Sequence, residues 1–309
     1  MPAPLPISRR GFLQSSAASC GALVAATTFA QNDLASGTSQ NQSGLRRPVN
    51  AFVKYVQSLS FDQLAETIAG MGFDGIEATI RRGGQIEPDQ APDQLGELVE
   101  ALRRQNLQIG LMATNIQRAD DQVSEELLRT AASLGVPAYR MQWYRYDLNR
   151  PIKPQLKELQ RQARDVAAMN RELGITGLYQ NHAGPAYVGA SVWDLVELLD
   201  GIPPAEIGAA FDIRHATIEG GLAWPVSWKI VQPHLGAVFV KDARWDGRNL
   251  SDVPLGEGVV NPRFFKMLND SEFSGPISLH VEYLEDGDVE ENLNALKTDY
   301  TTLKGWLSS

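Results

Sequence analysis

Leu173-Gly174-Ile175-Thr176-Gly177-Leu178-Tyr179-Gln180-Asn181-His182 contains the unit from which the whole chain is built. A helix runs into Leu173, and Gly174 is a residue that accepts the positive φ needed to stop it. An apolar strand follows at once and ends on three polar side chains, Gln180, Asn181 and His182. The same punctuation recurs at Met71-Gly72-Phe73 and Leu134-Gly135-Val136, with Asn106-Leu107 in the equivalent role. Helix starts are marked as well. Ser60-Phe61-Asp62-Gln63 and Asp288-Val289-Glu290-Glu291 read as capping boxes, and Leu64, Ile68 and Met71 fall on one face of the first helix.

Working outward, this pattern predicts strands over 51–56, 74–79, 108–114, 138–144, 175–181, 207–212, 236–241 and 276–282, each followed by a helical stretch. Eight such units in the 263 residues from Arg47 to Ser309 give about 33 per unit, the size expected of a (β/α)₈ barrel. An open doubly wound sheet is the alternative. It usually carries a glycine-rich phosphate turn after its first strand, and none follows Val53. The α/β fold expected is therefore the (β/α)₈ TIM barrel.

Composition removes several function classes. The 309 residues include 28 Lys+Arg and 37 Asp+Glu, a formal net charge of −9, with no basic block to neutralise a phosphate backbone. Nucleic acid is excluded as a partner on that ground. One cysteine allows neither an intrachain disulfide framework nor a cysteine zinc site, and four histidines are too few for a histidine cage.

The N-terminus reads as an address. Ser8-Arg9-Arg10-Gly11-Phe12-Leu13-Gln14 has the form of a twin-arginine export signal, and Gly11 to Ala30 is small, uncharged and apolar, ending in Thr28-Phe29-Ala30 as a cleavage site. Polar breaks at Gln14, Ser15, Ser16 and Ser19 argue against a permanent membrane anchor. Removing residues 1–30 deletes Arg9, Arg10 and Cys20 but no acid, so the charge of −9 becomes −11 and the mature chain is free of cysteine. That suits an oxidising compartment, here the periplasm. Residues 31–46 are polar and rich in Ser, Asn, Gln and Gly, the composition of a disordered tether, and 47–309 form the barrel domain.

In a TIM barrel the working residues lie at the C-terminal ends of the strands. Those ends are polar in this sequence. Strand two offers Glu77; strand four Arg140, Gln142 and Tyr144; strand five Gln180, Asn181 and His182; strand six Asp212 with His215 just beyond; strand seven Lys241 and Asp242; strand eight His280 and Glu282. Period-two alternation puts Gln180 with His182, Phe239 with Lys241, and His280 with Glu282 on common faces. Any one carboxylate here has the simpler role of capping a helix or pairing with arginine. Several converging polar groups are costly unless paired or functional. Trp143, Trp193 and Trp245 lie in segments that overhang the mouth.

The order of Gly75-Ile76-Glu77, Gln180-Asn181-His182, Asp212-x-x-His215, Lys241-Asp242, Pro254-Leu255-Gly256-Glu257-Gly258 and His280-Val281-Glu282 resembles the sugar phosphate isomerase/epimerase superfamily. These are the xylose isomerase-like barrels, which include a branch of metal-dependent AP endonucleases. The resemblance covers about Val49 to the C-terminus. It implies one divalent cation, Mn²⁺ or Mg²⁺, held by a Glu on strand five, an Asp on strand six, a His on strand seven and a Glu on strand eight. Asp212 and Glu282 match, whereas Gln180 stands at the glutamate position and Phe239 at the histidine position. Asp212, Glu282 and Gln180 are thus the remaining metal candidates, in an incomplete set.

The resemblance implies proton transfer next to the carbonyl of a sugar or polyol. Glu282 is the expected base, with His215 and Lys241 as catalytic partners and Gln180, His182, Arg140, Tyr144, Arg244, Trp245 and His280 as substrate contacts. Two other readings stay open: lyase or hydrolase chemistry on a glycoside in the same pocket, and a metal-free sugar-binding barrel without turnover. The endonuclease branch is disfavoured by charge, by export and by the incomplete metal set. The address itself is testable. Changing Arg9→Lys together with Arg10→Lys is expected to leave the precursor in the cytoplasm, read by fractionation, and N-terminal sequencing of the exported protein is expected to begin close to Gln31.

Overall fold

A computed structural model describes residues 47–284 and 286–309; the expected signal (residues 1–30) and tether (31–46) lie outside them. The strands are β1 (Val49–Phe52), β2 (Gly75–Thr79), β3 (Gln108–Ala113), β4 (Ala138–Arg140), β5 (Thr176–Gln180), β6 (Ile207–Asp212), β7 (Leu235–Val240), β8 (Asp242–Asp246), β9 (Asn249–Val253) and β10 (Ile277–Leu279). All but β8 and β9 pair in parallel and close a barrel in the order β1-β10-β7-β6-β5-β4-β3-β2. The helices α1 (Phe61–Met71), α2 (Ala91–Arg104), α3 (Gln122–Ser133), α4 (Ile152–Leu173), α5 (Val192–Leu199), α6 (Ile213–Gly220), α7 (Trp224–Val231), α8 (Arg263–Asn269) and α9 (Val289–Leu307) connect and surround the strands. No helix among the described residues is long and apolar enough to cross a membrane.

The local signals act as their chemistry requires. Ser60 and Gln63 form a reciprocal capping box at α1, and Asp288 and Glu291 form another at α9. Gly72 and Gly174 terminate α1 and α4 in the left-handed region, with φ of 87° and 70°, and Asn106 takes the same region with φ 57°. One apolar layer lies between strands and helices, where Leu64, Ile68, Leu95, Leu98 and Ile76 are fully buried. A second fills the barrel itself, with Leu178 and Phe239 packed among Leu111, Ala138, Ala210 and Ala237. The alanines make room for the two large side chains, a packed floor rather than a pore.

Three strand expectations need correction. The first strand spans 49–52, not 51–56, because Lys54–Val56 coils into a single 3₁₀ turn. The fourth stops at Arg140 instead of 144, and the last at Leu279 instead of 282. In both cases the chain leaves the barrel wall as soon as it reaches the mouth. The hairpin of β8 and β9 was not expected at all. It turns at Gly247, whose φ of 59° suits a tight connection between Asp246 and Asn249.

A buried carboxylate anchors that excursion. Asp242 is 1% exposed, and its Oδ1 accepts from the backbone N–H groups of Ala243 (2.8 Å) and Val260 (3.0 Å). Its Oδ2 accepts from Gly256 (3.1 Å) and Gly258 (3.0 Å). Gly256 has φ 100°, and a Cβ on Gly258 would lie 2.2 Å from Asp242 Oδ1 and 2.3 Å from the Ala243 carbonyl. The Lys-Asp and Pro-Leu-Gly-Glu-Gly motifs are therefore halves of one knot. Asp242→Ala strands several N–H donors, each costing about 1–3 kcal/mol when buried and unpaired. Urea unfolding is expected to show a loss of about 3 kcal/mol or more, with Gly258→Ala destabilised in the same direction by backbone overlap.

Candidate active site at the barrel mouth

The inward-facing positions of β2, β4, β5 and β6 end the packed interior with Glu77, Arg140, Gln180 and Asp212, all buried. They form a continuous chain of hydrogen bonds. Arg140 Nε donates to Glu77 Oε1 (3.0 Å), and Arg140 Nη1 donates to Gln180 Oε1 (2.9 Å). Gln180 Nε2 then donates to Asp212 Oδ2 (2.8 Å). Because guanidinium can only donate, Arg140 fixes which end of the Gln180 amide faces Asp212. The other oxygen of Glu77 accepts from Ser278 Oγ (2.6 Å) and His280 Nε2 (2.8 Å). Burial alone would push the Glu77 carboxyl up, but Arg140, His280 and Ser278 outweigh it and bring the group from 4.5 down to about 2.

A second group sits on the same side. Asp212 caps α6 by accepting from the His215 backbone N–H (3.0 Å). Asn181 brackets the Asp212 backbone, accepting from its N–H (2.7 Å) and donating to its carbonyl (3.0 Å). Lys241 Nζ lies 3.7 Å from Asp212 Oδ2 and is hydrogen-bonded to Glu282. Burial opposes the lysine's charge, yet Glu282 and Asp212 carry its pKa above the ordinary value. Glu282 is likewise pushed up by burial but held well below the usual carboxylate range by Lys241, His280 and Lys54. Lys54 Nζ stands 3.9 Å from Glu282 Oε1.

His215 and His182 are both neutral at physiological pH. Burial first, and Lys241 next, lower His182 to about 3 and His215 well below its ordinary value. Arg214 Nη1 donates to His215 Nδ1 (2.9 Å), so the ring proton resides on Nε2. That Nε2 is buried without a hydrogen-bond partner, 3.5 Å from Asp212 Oδ2. Arg214 Nη2 donates to Asp252 Oδ1 on β9 (2.6 Å), tying the hairpin to α6.

Aromatic rings wall the mouth. Phe52 stacks on His280 with centroids 4.3 Å apart, and the Arg140 guanidinium lies 5.3 Å from the Phe52 ring centre. His182 packs against Trp143 (4.3 Å), Tyr187 (4.8 Å) and His215 (4.0 Å). The structure thus brings Glu282, Lys241, Asp212, Gln180, Arg140, His215, His182 and His280 together. Three expected contacts are not part of this group. Tyr144 is 2% exposed in the outer apolar layer, where its OH donates to the Gln117 carbonyl (2.9 Å), because β4 ends before reaching it. Arg244 and Trp245 are exposed on β8 and so lie outside the buried group. Glu77, Ser278, Phe52 and Trp143 join the site without having been given roles. Glu77 was legible as a strand-end acid, but its partners depend on register across the barrel.

The donor set does not fit the expected divalent cation. Gln180 spends its carbonyl oxygen on Arg140 and turns N–H toward Asp212, and His215 presents N–H rather than a lone pair. Phe239 is part of the barrel floor. Among the described residues no three His, Cys, Asp or Glu side chains are grouped to hold a metal.

The Glu77 pair has a pH signature. Because the folded-state pKa is depressed from 4.5 to about 2, its stabilisation is complete above about pH 4.5 and is lost as pH falls toward 2. Glu77→Gln is expected to flatten that part of the acid profile while costing about 3–5 kcal/mol at neutral pH, since Arg140 loses its buried partner. Urea midpoints at pH 7 and pH 3 check both effects.

Comparison with known proteins places the geometry. No curated protein sequence matches the chain. Solved structures do. The 3-keto-D-glucoside 4-epimerase YcjR of E. coli has TM-score 0.64 at 14% identity, covering 83% of this chain and 100% of its own. A D-allulose 3-epimerase from Methylomonas sp. has TM-score 0.63 at 17% identity, covering 85% and 98%. A xylose isomerase-like TIM barrel protein from Mycobacterium smegmatis, solved in complex with magnesium, has TM-score 0.60 at 14% identity, covering 84% and 98%. At these identities the likeness is one of fold. The profile of a family matches residues 65–299, three quarters of the chain, and with the closed eight-stranded barrel it shows that this protein belongs to the xylose isomerase-like TIM barrel family.

Proposed function

We propose that the protein is a sugar-processing enzyme that moves a proton next to the carbonyl of a sugar or polyol, with Glu282 as the base. One observation carries this reading. Of the three carboxylates in the mouth, Glu77 and Asp212 have no exposed side-chain surface, whereas Glu282 keeps 18%. Glu282 is the acid a substrate can reach. Fold relatives named as a 3-keto-D-glucoside 4-epimerase and a D-allulose 3-epimerase support a carbohydrate substrate. The export signal read at residues 8–30 supports action in the periplasm.

In this reading Glu282 takes the proton from the carbon beside the carbonyl. The C–H electron pair forms the new C=C bond, the carbonyl π pair moves to oxygen, and the resulting enediolate oxygen accepts from Lys241. The hydroxyl proton on the carbon that lost its hydrogen passes across the enediolate to the former carbonyl oxygen. Glu282 then returns its proton to the former carbonyl carbon as the new C=O forms beside it, completing an isomerisation on one face. An inversion of configuration needs an acid on the opposite face, and an amide such as Gln180, standing where the resemblance expects a glutamate, cannot act as one. Same-face transfer is therefore favoured over the two-base epimerase mechanism. The second reading, sugar binding without turnover, is supported by the ion pair with Lys241 that already engages Glu282.

Turnover on a carbohydrate panel tests both. Glu282→Gln is expected to lower kcat by about 10²- to 10⁴-fold with KM nearly unchanged, since the amide keeps shape but not basicity. A variant within a few-fold of wild-type turnover, folded by its melting curve, removes Glu282 from the chemistry. A wild-type protein that binds a panel sugar but turns none over establishes the second reading.

A further inference from the structure

Every group that faces the Asp212 carboxylate is a donor. Gln180 Nε2 lies 2.8 Å from Oδ2, the His215 N–H on Nε2 3.5 Å, and Lys241 Nζ 3.7 Å, while Oδ1 accepts from the His215 backbone. Lys241 also engages Glu282, so its ammonium stands between two carboxylates contributed by β6 and by the segment after β10. The side chain is buried, 8% exposed, and lies two residues beyond the Phe239 ring of the floor. It has nowhere else to place its charge at comparable cost.

Charge counting points the same way. Glu77, Asp212 and Glu282 face Arg140, Lys241 and Lys54. Arg81, half-buried with its guanidinium 6.0 Å from the Phe52 ring centre, adds further positive charge beside Arg140. A divalent cation entering this group would meet an already compensated set of acids and would have to displace an ammonium to reach oxygen.

We infer that the Lys241 ammonium is the site's own cation: it holds the seat between Asp212 and Glu282, makes the protein independent of divalent metal, and offers its N–H to the substrate's carbonyl oxygen. The last part rests on the sugar-processing reading; the first two do not.

Calorimetric titration of Mn²⁺ into the full chain, purified without chelator, separates the possibilities. Wild type is expected to show no binding up to about 1 mM Mn²⁺. Lys241→Ala vacates the seat between two carboxylates and is expected to bind Mn²⁺ at least about tenfold more tightly than wild type, with a melting temperature that rises on adding the metal. Stoichiometric micromolar binding by wild type overturns the inference, and this arm needs no variant to fold. A folded Lys241→Ala protein that gains no Mn²⁺ affinity overturns the seat. Lys241→Met, which keeps the aliphatic stem, serves as the folded comparison if alanine is too destabilising, and the same gain or absence of gain is read from it. On whichever sugar the panel reveals, chelator-treated wild type is expected to retain its rate within twofold; loss restored by Mn²⁺ overturns metal independence. Failure to turn over any sugar counts against the functional reading alone, and the titration still decides this one.

Discussion

A carboxylate stripped of water must be met by cations or N–H donors, and the barrel mouth buries two completely and a third in large part. The rest of the site follows from meeting that demand. Arg140 reaches Glu77 because β4 ends there, and a second of its N–H donors orients Gln180, which in turn serves Asp212. Lys241 closes the circuit by bridging Asp212 and Glu282. Removing any one partner leaves a charge without compensation, so these side chains hold one another in a single arrangement. The packed floor of Leu178 and Phe239 keeps water from entering below.

Much of this was legible before the structure. Glycine or asparagine after a helix, serine or aspartate before one, and an apolar strand between them are local signals, and the barrel follows from counting them. The polar strand ends were equally visible, since the C-terminal end of a barrel strand is a position defined along the chain. What escaped were facts of register and partnership. Tyr144 lies four residues past the end of β4, and alternation stops having meaning once the strand has ended. Glu77 and Ser278 are 201 residues apart and meet only because β1 lies between β2 and β10 in the closed sheet. The β8–β9 hairpin has a local signal in Asp246-Gly247, flanked by residues that pair across it, but its strands are short, polar and partly exposed and lack the apolar run that marks the barrel strands.

Asp242 is a different case. Beside Lys241 it reads as a site residue, and in the structure it is a mechanical one, collecting four backbone donors from a loop that glycines bring close. Adjacent residues of one dipeptide thus serve opposite purposes, Lys241 pointing into the mouth and Asp242 into the wall. Lys241 is the single residue between the end of β7 and Asp242, which opens β8, so the change of direction falls at the junction of the two strands.

The hairpin has a bearing on how such a barrel can be altered. Asp252 on β9 holds one arm of Arg214, and the other arm decides which nitrogen of His215 carries the proton. Transplanting a hairpin from another barrel would therefore import more than a new rim. A graft lacking an acid at that point would release Arg214 and leave the imidazole free to exchange tautomers, turning an N–H toward the mouth into a lone pair. Surface recombination and acid–base character are linked here by one guanidinium, so the rim is not a neutral cassette.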